Sequence, residues 1–267
     1  MLSRLRSKTF ICVLGVLSSW ALHAEKFAGI IIDDLGNNFH YGRAAINLPD
    51  NLTFAILPKT TYAKDLARLA TKKNREVMLH LPMQSVEHLD HSPGTLDLHM
   101  TKKEFIDQLQ LDLNSVPYIR GVNNHMGSLL TRHPGHMTWL MDELYRRGGL
   151  YFIDSKTTHK SVADKIAAEY ELPNLSRDFF IDPDYEESTM RRQFDRFIDK
   201  INHRGYALAI AHPHPKTIAF LKKNLPRLKQ HGITLLPVSK LIPAAKLMDI
   251  PRDENHVACT STPCSRL

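Results

Sequence analysis

AGIIIDD (28–34) is the stretch on which the fold is decided. Three β-branched residues in a row make a short apolar run, and two carboxylates end it. A turn sequence, Leu35-Gly36-Asn37, follows at once. Comparable runs recur at LTFAILP (52–58), EVMLHLP (76–82), IRGVNNH (119–125), LYFIDS (150–155), SRDFFID (176–182), YALAIAH (206–212) and TLLPVS (234–239). Between them lie stretches of helical period at 63–73, 102–113, 136–147, 189–201 and 217–230, the last broken at Pro226. In the second of these, Phe105, Leu109 and Asp112–Leu113 share one face. Short apolar strands alternating with amphipathic helices imply parallel βαβ units. Up to eight of them suit an α/β fold with a distorted (β/α) barrel as a single domain over residues 25–245. An open doubly wound sheet is the alternative.

The two ends read differently from this body. Residues 1–24 hold Arg4, Arg6 and Lys8 but no acid, then an apolar run from Phe10 to Leu22, then Ala24. That is a signal peptide cleaved near Ala24. Its apolar core is too short for a spanning helix of about 20 residues; an uncleaved anchor is the other reading. Export, to the periplasm, is therefore expected, with membrane contact only during passage. Cleavage takes the formal charge from +7 to +4. A mild, scattered positive charge excludes no anionic glycan and gives no basic stripe for nucleic acid. The tail 246–267 carries Cys259 and Cys264 in CTSTPC, either a local disulfide or two free thiols. The body has no cysteine framework.

Polar residues gather where the runs end. They are Asp33 and Asp34, His80, Asn124 and His125, Asp154 and Ser155, Arg177, Asp178 and Asp182, then His212 and His214. Parallel α/β folds place their sites at that edge, because the loops there converge on one mouth. Each residue also has a plainer reading. Asp34 can cap the turn after it, and His80 can be a satisfied core histidine in an apolar strand. Taken together, one of the paired carboxylates can bind a cation while its neighbour stays free as a base. One Asp and two His from three strands make a three-ligand set with a position left for water, as catalytic zinc sites have. In AHPHP (211–215) the prolines hold His212 and His214 at the mouth, where one can serve as a general acid. Gly121 and Gly127 read as flexible joints around His125.

The ordered blocks IIIDDLGNN, LHLPMQ, GVNNHMGS, LYFIDSKT, SRDFFID and AIAHPHP resemble the divergent polysaccharide deacetylase family, relatives of the chitooligosaccharide and peptidoglycan deacetylases. The resemblance runs from about Ala28 to about Leu241. It implies a distorted barrel, a divalent metal, usually zinc, and removal of N-acetyl groups from an amino-sugar polysaccharide. By position it makes Asp33 the base, Asp34 a metal ligand and His212 the acid. The better-known relatives hold both histidine ligands in one HxxxH block. Here the residue four after His80 is Gln84, so the second histidine is assigned to His125. Asn124 and Ser155 are expected to bind substrate hydroxyls. Asp154 or Asp178 would orient a histidine or the base, with Arg177 and His214 nearby. The rival expectation is an inactive member that binds cell-wall glycan; a metal hydrolase for another amide or ester is a third.

Overall fold

The computed structural model describes residues 25–87 and 92–249; the expected signal segment and the two tail cysteines lie outside the described residues. Among the described residues nine strands, all parallel, form one curled sheet: β1 (Lys26–Leu35), β2 (Thr53–Ile56), β3 (Glu76–Met83), β4 (Ile119–Met126), β5 (Tyr151–Asp154), β6 (Asn174–Ser176), β7 (Phe179–Phe180), β8 (Tyr206–Ala211) and β9 (Ile233–Leu235). Their spatial order is β6-β5-β4-β3-β2-β1-β8-β7, with β9 beside the first residues of β1. Helices pack outside, so this is a distorted (β/α) barrel left open at one seam.

The seam explains why SRDFFID does not make one strand. Its first half pairs with β5 and its second with β8. Arg177 and Asp178 cross between them. The Arg177 N–H donates to the Asp154 carbonyl at 3.0 Å, and the Asp178 N–H to that of Leu208 at 2.8 Å. The Asp178 carboxylate in turn accepts from the Leu208 N–H at 2.9 Å. The chain itself closes the barrel where no ladder does.

Two apolar layers follow from strand alternation. Outward residues such as Ile30, Ile32, Phe54, Leu79 and Phe152 join the helices in one large cluster. Inward residues Ile31, Ala55, Met78, Ile153, Leu208 and Ile210 meet a helix that the sequence reading missed, α9 (Val238–Met248). The run at 234–239 is strand only to Leu235, and Pro243 masks the helical period beyond it. Leu241, Ile242 and Ala245 of α9 plug the floor of the barrel. Gly29 makes room for this, since a Cβ there would lie 2.6 Å from the Leu241 Cδ2. Glu76 fastens the plug: one carboxylate oxygen accepts from the Ser239 N–H, the Thr53 hydroxyl and the Tyr151 hydroxyl at 2.9–3.1 Å. An acid at a helix N-terminus is favourable there.

The second predicted helix is α3 (Lys102–Ser115), opened by a capping box of Thr101 and Glu104. Its apolar face buries Asp112 completely. Burial pushes that carboxyl up to about 6, against a Gln108 hydrogen bond and the Lys59 ammonium 3.6 Å away. Pro226 does break the last predicted helix, into α7 (Pro215–Asn224) and α8 (Pro226–Gln230).

Leu241→Ala should cost about 2–5 kcal/mol in urea denaturation by opening a cavity under the barrel. Asp112 favours the folded state fully below about pH 4, and that contribution is lost as pH rises through about 6. Asp112→Asn should therefore raise the denaturation midpoint at pH 7.5 and change it little at pH 4.

Candidate metal centre

Strand parity sorts the mouth residues. On β3 the inward set continues from Met78 to His80; on β4 Gly121, Asn123 and His125 share one face; on β8 Leu208 and Ile210 lead to His212. On β1 the inward position is Asp33, and alternation would turn Asp34 outward. A β-bulge prevents this. Between the pairs Ile32↔Phe54 and Leu35↔Ile56, β1 spends two residues where β2 spends one. Asp34 also takes a left-handed φ of 58°, which swings its carboxylate to the same side as that of Asp33. Met126 and Lys156, at the ends of β4 and β5, turn the chain in the same left-handed way.

Three donor atoms then meet. Asp34 Oδ1 lies 3.1 Å from His80 Nε2 and 3.0 Å from His125 Nδ1, and the two nitrogens are 3.1 Å apart. Ligands bound about 2.0–2.1 Å from one divalent ion have about this spacing from one another. Asp34 Oδ1 is buried yet has no hydrogen-bond partner. An orphaned carboxylate oxygen between two imidazole nitrogens fits a cation and is costly without one. One oxygen and two imidazoles suit zinc. Asp34 and His125 are partly exposed, so the outer side of the triangle is open. Among the described residues this is the only such cluster.

Asn123, buried and directly across the ladder from His80, fixes the roles of its neighbours. Its Oδ1 accepts from His80 Nδ1 at 2.9 Å, and its Nδ2 donates to Asp33 Oδ1 at 2.9 Å. The reversed amide would set an NH₂ against the ring N–H and an oxygen against a carboxylate. With Nδ1 protonated, the lone pair of His80 Nε2 faces Asp34. Asp33 is held by one oxygen; its other, Oδ2, lies 3.6 Å from His80 Nε2, beyond hydrogen-bond length.

His212 is held from the opposite side. Asp182 Oδ1 is 3.0 Å from its Nδ1, while Asp182 Oδ2 accepts from the His212 N–H at 2.8 Å and the Thr217 hydroxyl at 2.7 Å. The free Nε2 points inward, 3.9 Å from Asp34 Oδ2. Phe180 stacks on the ring, and the Arg177 guanidinium sits 3.7 Å over Phe180.

The electrostatics separate the two carboxylates. Burial pushes the Asp33 carboxyl up, only partly countered by His80, His212 and Asn123. Burial opposes charge on Asp34 as well, but the His125 and His80 imidazoles beside it hold its carboxyl far below the usual range. Burial disfavours charge on His212 too, and the Asp182 carboxylate overrides it, taking the imidazole up to about 9. One acid is thus a fixed anion, the other takes up a proton more readily, and a charged imidazole faces both.

Other mouth residues are placed elsewhere. Asn124 points outward: its Nδ2 donates to the Met126 carbonyl and its Oδ1 accepts from the Ser155 N–H, a brace between two loops. Asp154 is outward too, accepting from the Ser161 hydroxyl at 2.6 Å and the Lys156 N–H at 2.8 Å. Asp178 belongs to the seam and pairs with Lys200 of α6 (Glu187–Arg204) at 2.6 Å. None of these three orients a site histidine; Asn123 and Asp182 do. Ser155 does reach the site, its hydroxyl 3.3 Å from Asn123 Nδ2. Arg177 donates to the Ser155 and Lys156 carbonyls. His214 caps α7 and stacks on Tyr185 at 4.3 Å. Gly121 is no joint: a Cβ would fall 2.2 Å from the Tyr151 ring, so it is a close-packing position. Gly127, at φ 89°, does need its freedom. Gln84 accepts from the Leu98 N–H and, through its carbonyl, from Leu129 and Leu130. The position four after His80 therefore braces loops, while His125 supplies the second histidine from the next strand.

Residues 30–242 match the profile of the family described as divergent polysaccharide deacetylase, and the chain belongs to that family. It is 36% identical over 222 residues to an uncharacterized protein of Haemophilus influenzae, covering 82% of this chain and 79% of that one. It is 34% identical over 236 residues to the uncharacterized protein YibQ of Escherichia coli, covering 86% and 72%. Among solved structures, an uncharacterized protein of Agrobacterium tumefaciens superposes with a TM-score of 0.78 at 22% identity, over 83% of this chain and 91% of that one. The catalytic domain of a peptidoglycan N-acetylglucosamine deacetylase from Eubacterium rectale gives 0.51 at 14%, over 79% and 88%. A CE4 family pseudoenzyme from Bacillus anthracis, as a mutant with restored enzymatic activity, gives 0.52 at 17%, over 82% and 68%. These structural likenesses carry the fold.

If the triangle holds a divalent ion, alanine at Asp34, His80 or His125 should abolish its tight binding in a metal titration of the purified chain. Asn123→Ala should leave the three ligands but weaken binding by about 10–100-fold, since the partner that sets the His80 tautomer is gone.

Proposed function

We propose that this member of the divergent polysaccharide deacetylase family is an exported, zinc-dependent hydrolase that removes N-acetyl groups from an envelope or cell-wall polysaccharide. The observation that carries this reading is the flanking of the Asp34–His80–His125 triangle. On one side Asp33 has a free oxygen and a raised pKa; on the other stands a charged His212. A metal trap needs neither. When bound, a zinc ion supplies Lewis acidity, polarising an acyl oxygen and bringing the pKa of a water from 15.7 towards about 7.

The protein's own groups carry the protons. Asp33 Oδ2 takes one from the attacking water while Asn123 keeps Oδ1 engaged. The water oxygen bonds to the acetyl carbon, the C–N bond breaks, and His212 Nε2 gives its proton to the departing amine nitrogen. Asp182 stabilises the imidazolium before that transfer and holds the ring's direction throughout. The products are acetate and a free amino sugar. Ser155 and Arg177 line the wall beside Asn123 and Phe180.

An inactive, glycan-binding member is the second reading, favoured by the loss of the HxxxH arrangement at Gln84. His125 restores a three-donor set by another route, which supports turnover. Acetate release from N-acetylglucosamine polymers by the zinc-loaded mature chain decides between them. Asp33→Asn should lower the rate by about 10²–10⁴-fold while zinc content stays unchanged. A wild-type chain that binds glycan and zinc but releases no acetate would leave the binding reading standing.

A further inference from the structure

A second feature of the mouth lies outside the reaction centre. The loops after β1 and β2 enclose a small groove of about 130 Å³ with the end of β3 and the segment at Ser92–Pro93. Its polar groups are the Asn37 amide, the hydroxyls of Thr60, Thr61 and Ser92, and Lys59. Pro82 also lines it. That residue is on the His80 face of β3 and pairs in register with His125, so one wall of the groove adjoins the candidate metal triangle. Two exposed aromatics flank its lining residues in sequence. Phe39 opens α1 (Phe39–Ile46), two residues after Asn37. Tyr62 precedes α2 (Ala63–Lys72), one residue after Thr61. Their ring centroids are 5.7 Å apart with planes tilted by 53°.

Exposed aromatic pairs beside clustered hydroxyl and amide groups match the two faces of a sugar. The C–H face of a pyranose lies on an aromatic ring, whose π face is negative, and its hydroxyls exchange hydrogen bonds with Thr, Ser and Asn side chains. Among the described lining residues the one cation, the Lys59 ammonium, lies 3.6 Å from the Asp112 carboxylate and is already paired.

We infer that Phe39, Tyr62 and the Asn37–Thr60–Thr61–Ser92 groove form an accessory subsite for a neutral pyranose of the same glycan chain, next to the ring whose acetamido group reaches Asp34. This rests on the glycan reading of the site. It makes the protein selective for chain length: an oligomer spans both places, and a single amino sugar fills only one.

The experiment uses the zinc-loaded full mature chain carrying Asp33→Asn, which slows turnover, and measures binding of N-acetylglucosamine and its tetramer by calorimetry. The tetramer should bind about tenfold tighter than the monomer. Adding Phe39→Ala and Tyr62→Ala should erase most of that gain and leave monomer binding unchanged; Tyr62→Phe should keep it. Both aromatics are exposed, so their removal leaves the core intact. A gain that survives both alanines, as when the aromatic pair serves a protein partner, overturns the subsite alone. No gain with chain length overturns it too. Absence of binding by either sugar, together with absence of acetate release from wild type, takes down the glycan reading and this inference with it.

Discussion

The site depends on one buried amide. Asn123 has two ends, and each decides the state of a neighbour: the oxygen sets the tautomer of His80, and the nitrogen engages one oxygen of Asp33. Two carboxylates adjacent in sequence would otherwise compete for the same histidines. With the amide in place, Asp34 is left to the imidazoles and Asp33 keeps an oxygen free. Burial does the rest. It raises Asp33, which has weak compensation, and fails to raise Asp34, which has two imidazoles against it.

That amide works because the backbone brings the carboxylates to it. A regular strand cannot present two consecutive side chains to one face. The extra residue in β1 and the left-handed Asp34 do so together. An αL conformation at a non-glycine residue is uncommon and strained, and strain of this kind persists where the surrounding structure over-determines it. Here β2 and β8 grip β1 on both edges up to the bulge. Farther down, α9 fills the barrel and Glu76 locks its first turn, so the strands beneath the mouth pack against a solid floor.

Much of this was legible in the chain itself. The βαβ alternation gave the fold class, because each strand is a short β-branched or apolar run bounded by a turn. The clustering of Asp33, Asp34, His80, His125 and His212 at strand ends gave the mouth. Parity along the strands carried more than was drawn from it. In GVNNH the residue in phase with His125 is Asn123, not Asn124; Asp154 is out of phase with Ser155. Asp182 stood among the strand-end residues, but its role carried no local signal, since it depends on His212 thirty residues away. The helix α9 was hidden by Pro243, and the split of β6 from β7 by a continuous apolar pattern that looks the same on either side of a seam.

The sequence by itself determined the parallel α/β class, the edge where polar groups collect, the parity that turns Asn123 inward, and the residue types available for a divalent ion. Those are local properties: hydrophobic period, turn chemistry and side-chain composition act over a few residues. Tertiary structure alone decided that Asp34 joins Asp33 on one face, which group engages each carboxylate, and what holds His212. The last two rest on contacts between residues 30 to 90 positions apart, measured in tenths of an ångström. No local preference encodes such distances, because they arise only when β1, β3, β4 and β8 are fixed side by side.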